Sequence, residues 1–466
     1  MDDFAGTETF AWIVGNLGLT AAARVYQAGA LGGALAWHGV TAHPPAPTPP
    51  GETMSSTTVA LPIAPPAELG LGRLDRITHR FQSDTDSKRL PGAVVMIARE
   101  GHVAYHEAFG LRDPASGAPM ERDSIFRIYS MTKPVTGVAV MMLMEEGKFR
   151  LTDPVSLYLP ALKNPKVLVE TMDAQGRRTA ATVPAKREIT IQDLLRHTAG
   201  ISYGGGETLA EQAVAKAGLG IQLGTTGDQV PMTARLTDQQ LVEELGRLPL
   251  MFHPGESWQY GRSMDVLLAL VEVVSGQRGD RFLAERLFQP LGMTDTFFNV
   301  PKEKLHRVAQ PGPDPDTGET AVLTDVTRER IFLGGGEGLL STATDYMRFA
   351  LMLANGGMGC DGARILSPAT VAFMASDHLG PELARGANFT PGPGYGFGLT
   401  VAVRTHAGMA GFPGNVGEFN WGGAAGTSFW IDPKEKLVPL LLIQAPGQRL
   451  FYRHLFRSLV YQAVLR

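Results

Sequence analysis

The sequence predicts an α+β fold, with one antiparallel sheet assembled from both ends of the chain and a mostly helical region inserted between them. Three observations lead there. Apolar residues follow the period of a strand over 91–109 and again over 397–443. Between those stretches the dominant period is helical. A final amphipathic segment, 451–465, returns to helical spacing. With 44% hydrophobic and 19% charged residues in a chain of 466, there is ample material for a large core. That excludes a disordered or fibrous protein.

The N-terminal stretch differs from the rest. Residues 10–37 carry one charge, Arg24, which splits them into two apolar runs. Each is shorter than the about 17–25 residues that span a bilayer. Asp2 and Asp3 stand where a secretory signal has basic residues. The segment 43–50 is a stiff Pro-rich spacer. Residues 1–53 are read as a leader or upstream extension, with the enzyme beginning near Met54 and located in the cytoplasm. An atypical export signal and an interfacial anchor are the alternatives.

The elements of the folded part, 54–466, follow in order. Leu74, Ile77 and Phe81 share one face of a helix over 71–81. Segments 91–98 and 102–109 form a hairpin turning at Glu100-Gly101. After Ser130, Pro134 sits in a first helical turn, and Val135, Val138, Met141 and Met142 fall on one face. Gly147 is the stop. Helical spacing recurs over 191–197, 265–274 and 343–355. The Gly-rich segment 203–235 is irregular, a candidate flap. Strands follow at 397–403, 418–421, 427–431 and 437–443, then a helix with Phe451, Leu455 and Leu459 on one stripe. The sheet part is expected at about 66–125 and 385–466, and the helical part at about 126–384.

Charge and cysteine count exclude whole classes. Lys and Arg number 42 against 46 Asp and Glu, a net charge of −4, and no strong basic run occurs. That is not a nucleic-acid footprint. The single cysteine, Cys360, excludes an internal disulfide, a Cys-rich zinc site and an iron–sulfur cluster. His102 and His106 lie four apart on a strand, too far for easy chelation, and no His-Glu-x-x-His occurs. No metal, cofactor or membrane partner is assigned.

Ser130-Met-Thr-Lys133 places a hydroxyl at a helix start and an amine one turn on. Residues at i and i+3 share a helix face, so the two side chains can meet. The positive helix end favours negative charge on the serine oxygen, and with burial it favours a neutral lysine that can act as a base. The pair is an activated nucleophile of the Ser–Lys kind. Taken alone the spacing is common. Four more segments accompany it in order: Leu194-Leu-Arg-His-Thr-Ala-Gly-Ile201, Phe252-His-Pro-Gly-Glu-Ser-Trp-Gln-Tyr260, Gly334-Gly-Gly-Glu-Gly-Leu-Leu-Ser-Thr342 and Trp421-Gly-Gly-Ala-Ala-Gly-Thr427.

With these motifs the chain, from about residue 70 onward, resembles the serine β-lactamase and penicillin-binding-protein superfamily. It is most similar to family VIII carboxylesterases and class C β-lactamases. The resemblance implies a β-lactamase/transpeptidase-like fold. It implies Ser130 as the acylated serine, Lys133 as its partner amine and Tyr260 as the proton shuttle. The backbone N–H groups of Ser130 and Ala424 would form the oxyanion hole. The substrate implied is a small-molecule ester.

Two departures sharpen this. Trp421-Gly422-Gly423 stands where β-lactamases of this type have Lys-Thr-Gly, so the cation that holds a substrate carboxylate is missing. A Trp-x-Gly motif is similar to family VIII esterases and favours neutral esters with apolar groups. Arg262 stands where asparagine would complete Tyr-x-Asn, and would take an anionic group or point to solvent. The expectation is a serine carboxylesterase, with a β-lactamase or an acyltransferase at the same site as the alternative. Gly200-Ile-Ser202-Tyr-Gly204 imitates a nucleophile elbow but lacks the preceding strand, and Ser202 is read as a turn residue near the pocket rim.

Overall fold

A computed structural model describes residues 59–221, 232–383, 385 and 389–465. The expected leader, spacer and start near Met54 lie outside them, as do residues 222–231 of the Gly-rich segment. Among the described residues no helix is long and apolar enough to cross a membrane.

One sheet dominates. Its strands are β1 (Gly92–Arg99), β2 (His102–Asp113), β3 (Ala118–Pro119), β4 (Tyr395–Phe397), β5 (Ala402–Arg404), β6 (Phe419–Gly422), β7 (Ser428–Ile431) and β8 (Leu437–Ile443). They lie side by side as β3-β2-β1-β8-β7-β6-β5-β4, with antiparallel neighbours. The central pair joins the two ends of the chain, Ala93 facing Ile443 and Arg99 facing Leu437. Glu100 and Gly101 both have positive φ, 52° and 82°, which a two-residue primed turn needs.

Both faces of the sheet are covered, so β1 and β8 are buried at every residue. Alternation divides them. Ala93, Val95, Ile97, Leu437, Leu441 and Ile443 pack with α1 (Asp75–Asp86) and with the last helix, Arg449–Tyr461. Val94, Met96, Ala98, Val438, Leu440 and Leu442 face the helical region. There α2 (Thr132–Glu145) is buried on every side from Thr132 to Leu143 rather than on one face. A helix apolar all round belongs in the middle of a core. It packs on α3 (Ser263–Ser275), and α4 (Ala343–Ala354) packs on β8.

Several expectations are corrected. Helix α1 begins at Asp75 because the chain before it is still tied down: Leu71 bridges Val464, and Arg73 has a φ of 55°. The last helix, α5 (Arg449–Tyr461), buries Tyr452, Phe456 and Val460, one position on from the expected stripe, and Phe451 is exposed. The expected strand 397–403 is two strands, β4 and β5, separated by Thr400 at a φ of 77°. In the middle third, Lys166–Met172 and Arg178–Pro184 pair as a hairpin. Its strands are largely exposed, so no strong period marks them. The Gly-rich segment is not irregular throughout: Leu209–Lys216 is a helix with a Thr208–Glu211 capping box.

Candidate active site

Ser130 lies in the 3-10 turn Tyr129–Met131, which runs straight into α2. Tyr129 just before it has a φ of 43°, a strained conformation for a bulky residue. Two ties at Ile128 hold the entry to the turn. Ile128 donates to the Leu339 carbonyl at 3.1 Å and accepts from Thr427 Oγ1 at 3.3 Å. Nothing in the sequence pattern announced that strain.

Lys133 is fully buried. Its Nζ lies 3.2 Å from Ser130 Oγ, 2.9 Å from Tyr203 OH and 2.6 Å from the Gly336 carbonyl oxygen. It also sits 4.7 Å from the centroid of the Tyr260 ring. Tyr260 precedes α3 on a loop whose next residue must be glycine. A Cβ at Gly261 would come within 2.0 Å of the Ile201 carbonyl oxygen. The Tyr260 ring is enclosed by His197, Tyr203, Trp258 and Trp421 at centroid distances of 4.9 to 6.0 Å. Trp421 Nε1 donates to Tyr260 OH at 3.2 Å.

Trp421, Gly422, Gly423 and Ala424 come from the end of β6 and the turn after it. Gly423 donates to the Thr427 carbonyl at 2.8 Å, which closes the turn. A Cβ on Gly423 would come within 2.3 Å of both Ile128 O and Thr427 Oγ1, so only glycine lets this turn approach the backbone just before Ser130. Ser130, Tyr260, Trp421, Gly422, Gly423 and Ala424 all line one cavity of about 340 Å³.

Arg262 is placed differently from expectation. It is 1% exposed, donates to the Leu219 and Gly220 carbonyls, and pairs with Asp265 at 3.2 Å. The guanidinium is committed to this internal network and reaches neither solvent nor the cavity. Ser202 is a turn residue, as expected, with its Oγ accepting from Gly204 N at 3.0 Å. It is buried rather than on the rim, and does not line the cavity. His197 is fully buried, and burial together with Lys133 holds its imidazole well below its ordinary value, so it stays neutral behind Tyr260. Among the described residues no three His, Cys, Asp or Glu side chains gather to hold a metal ion.

Two residues here were not singled out in the sequence. Tyr203, the first residue of the expected flap, is buried against Lys133. Arg453 of α5 donates to the Gly423 carbonyl, and to that of Thr427 at 3.1 Å, bracing the turn that carries Ala424. Burial, with Arg449 and Arg457 nearby, pulls its guanidinium down to about 10, while Tyr260 opposes that shift.

The class defined is an enzyme with serine hydrolase chemistry, of the β-lactamase and penicillin-binding-protein superfamily with family VIII esterase affinity. The β-lactamase family model matches residues 77–461, and the chain belongs to that family. Protein Rv1367c of Mycobacterium tuberculosis is 36% identical over 368 residues, 77% of this chain and 87% of that one. Esterase EstB of Burkholderia gladioli is 33% identical, covering 79% of this chain and 89% of its own. Among solved structures, EstCE1, described as a hydrolase with promiscuous acyltransferase activity, matches with a TM-score of 0.69 at 28% identity. That match covers 86% of this chain and 99% of EstCE1.

Proposed function

We propose that this protein is a serine carboxylesterase acting on neutral carboxylic esters. The observation that carries the reading is the placement of Lys133 Nζ, 3.2 Å from Ser130 Oγ, beside a cavity that Ser130, Tyr260 and Trp421 share. Lys133 takes the Ser130 proton as Oγ bonds to the ester carbonyl carbon. The backbone N–H groups of Ser130 and Ala424 hold the oxyanion. Tyr260 gives a proton to the departing alcohol as the C–O bond breaks, leaving an acyl-enzyme. Water then attacks that ester, giving its proton to the Tyr260 phenolate, and Lys133 returns the proton it took to Ser130 Oγ as the acyl C–Oγ bond breaks. Trp421 offers an indole where a carboxylate-binding lysine would stand, which supports neutral, apolar groups on the substrate. The same reading takes residues 54–466 as one catalytic domain working in the cytoplasm.

The likeness to EstCE1 favours acyl transfer to an alcohol as a second reading. One experiment separates these readings. Nitrophenyl esters of rising acyl length and a chromogenic cephalosporin are offered to wild type and to Ser130→Ala, with and without an added alcohol. Esterase turnover exceeding cephalosporin turnover, and lost in Ser130→Ala, supports the proposal. Cephalosporin turnover well above ester turnover overturns the substrate class. Acceleration by the alcohol, with a new ester product, moves the assignment to a transferase.

A further inference from the structure

Around Lys133 lies a buried polar cluster that the reaction as written does not use. An ammonium has three N–H donors, and a neutral amine has two and a lone pair. The Gly336 carbonyl, 2.6 Å from Nζ, can only accept. With the Tyr203 hydroxyl accepting the second N–H at 2.9 Å, the remaining direction points at Ser130 Oγ. In the neutral amine that direction holds the lone pair. After proton transfer it holds the new N–H, and the other two bonds are unchanged. We infer that Tyr203 is a positioning residue for acylation, its hydroxyl turning Lys133 so that the amine faces Ser130.

The surroundings make Tyr203 a fixed acceptor. Its ring is buried, set edge-on to Tyr260 at 5.4 Å, with the Arg262 guanidinium 5.4 Å from its centroid. Burial, with Tyr260, Asp265 and Glu337 nearby, holds its phenol well above the ordinary value, so it stays protonated and does not compete with Tyr260 as a proton carrier. Asp265 braces both of the lysine's tethers. One carboxylate oxygen pairs with Arg262 at 3.2 Å, and the other accepts the Gly336 N–H at 2.8 Å. A Cβ on Gly336 would lie 3.0 Å from Tyr203 OH, 3.1 Å from Asp265 Oδ1 and 3.2 Å from Lys133 Nζ, crowding all three.

The inference rests on the reading of Ser130 and Lys133 as nucleophile and base, and its test keeps the two apart. Tyr203→Phe removes the hydroxyl and keeps the ring. On p-nitrophenyl butyrate, kcat is expected to fall about 10- to 100-fold, a part of what a positioned base contributes. KM should stay within about twofold and the thermal midpoint near wild type, since neither substrate wall nor packing changes. Unchanged kcat, or a loss confined to KM, overturns the inference. Should Tyr203→Phe fail to fold, Gly336→Ala disturbs the same contact from the loop side, and full kcat in that variant overturns it. Ser130→Ala is measured alongside. Full turnover there sinks the underlying site assignment instead, whatever Tyr203→Phe does.

Discussion

Trp421 is the side chain on which the proposed substrate class turns. A lysine there would place an ammonium beside Tyr260. The indole instead supplies an uncharged donor, 3.2 Å from Tyr260 OH, and a flat apolar wall. Trp421→Phe keeps much of the wall and loses the donor. Loss of one hydrogen bond to a reacting group is worth about 1–2 kcal/mol, so kcat on short-chain esters should fall about tenfold with KM little changed. Steady-state kinetics checks this, and a rise in KM alone would assign Trp421 to substrate binding only. Ser130, Lys133, Tyr260 and the 421–424 turn were legible in the sequence because motifs at fixed spacing carry them. Arg262 was not. Its partner Asp265 stands three residues on, but nothing local shows that the Leu219 and Gly220 carbonyls cover the pair. Arg453 was hidden for a similar reason: it reaches Gly423 across the sheet, and no spacing rule links the two.

At the scale of elements, the loop that holds Lys133 depends on a neighbouring helix. Asp238, the first residue of the helix Asp238–Gly246, accepts the N–H groups of Leu333 at 2.9 Å and Gly334 at 3.0 Å. Burial pushes its carboxyl up to about 7, and Glu272 and Asp265 add to that against the two backbone bonds. A raised carboxyl binds its proton more tightly folded than unfolded. Its contribution therefore falls as pH rises from about 4, the unfolded value, to about 7. Asp345, raised by burial to about 6, acts in the same direction. Urea unfolding between pH 4 and 8 should show this decline, and Asp238→Asn should make it shallower. An unchanged slope in Asp238→Asn would remove Asp238 as its source. Asp193 acts in the opposite sense. Burial pushes its carboxyl up, but bonds from Arg187 and Thr190 outweigh that and hold it at about 2. Its stabilisation is present above about pH 4 and is lost as pH falls toward 2. Asp193→Ala should cost about 3 kcal/mol at pH 7, read by the same unfolding.

For the whole molecule, the pairing of chain ends was legible because β1 and β8 are long apolar runs with turn residues beside them. The exposed hairpin Lys166–Met172 with Arg178–Pro184 was not, since its burial imposes no strong period. Nor could periodicity reveal what locks the C-terminal part together. That lock is Glu418, fully buried just before β6. It accepts from Tyr395 of β4 at 2.5 Å, and from Arg457 at 2.6 Å and Tyr461 at 2.8 Å on α5. Arg404 of β5 lies 3.5 Å away. Glu418→Ala leaves two buried guanidinium groups without their counter-charge, which should cost about 3–5 kcal/mol. Glu418→Gln keeps acceptors in place and should cost less. Because α5 also carries Arg453, which braces the Gly423 turn, kcat should fall in Glu418→Ala even where the protein is fully folded. Chemical denaturation and ester kinetics on both variants test the two effects together. A loss of stability below about 1 kcal/mol would show the cluster to be dispensable, while a large loss with unchanged kcat would separate the fold's lock from the catalytic turn.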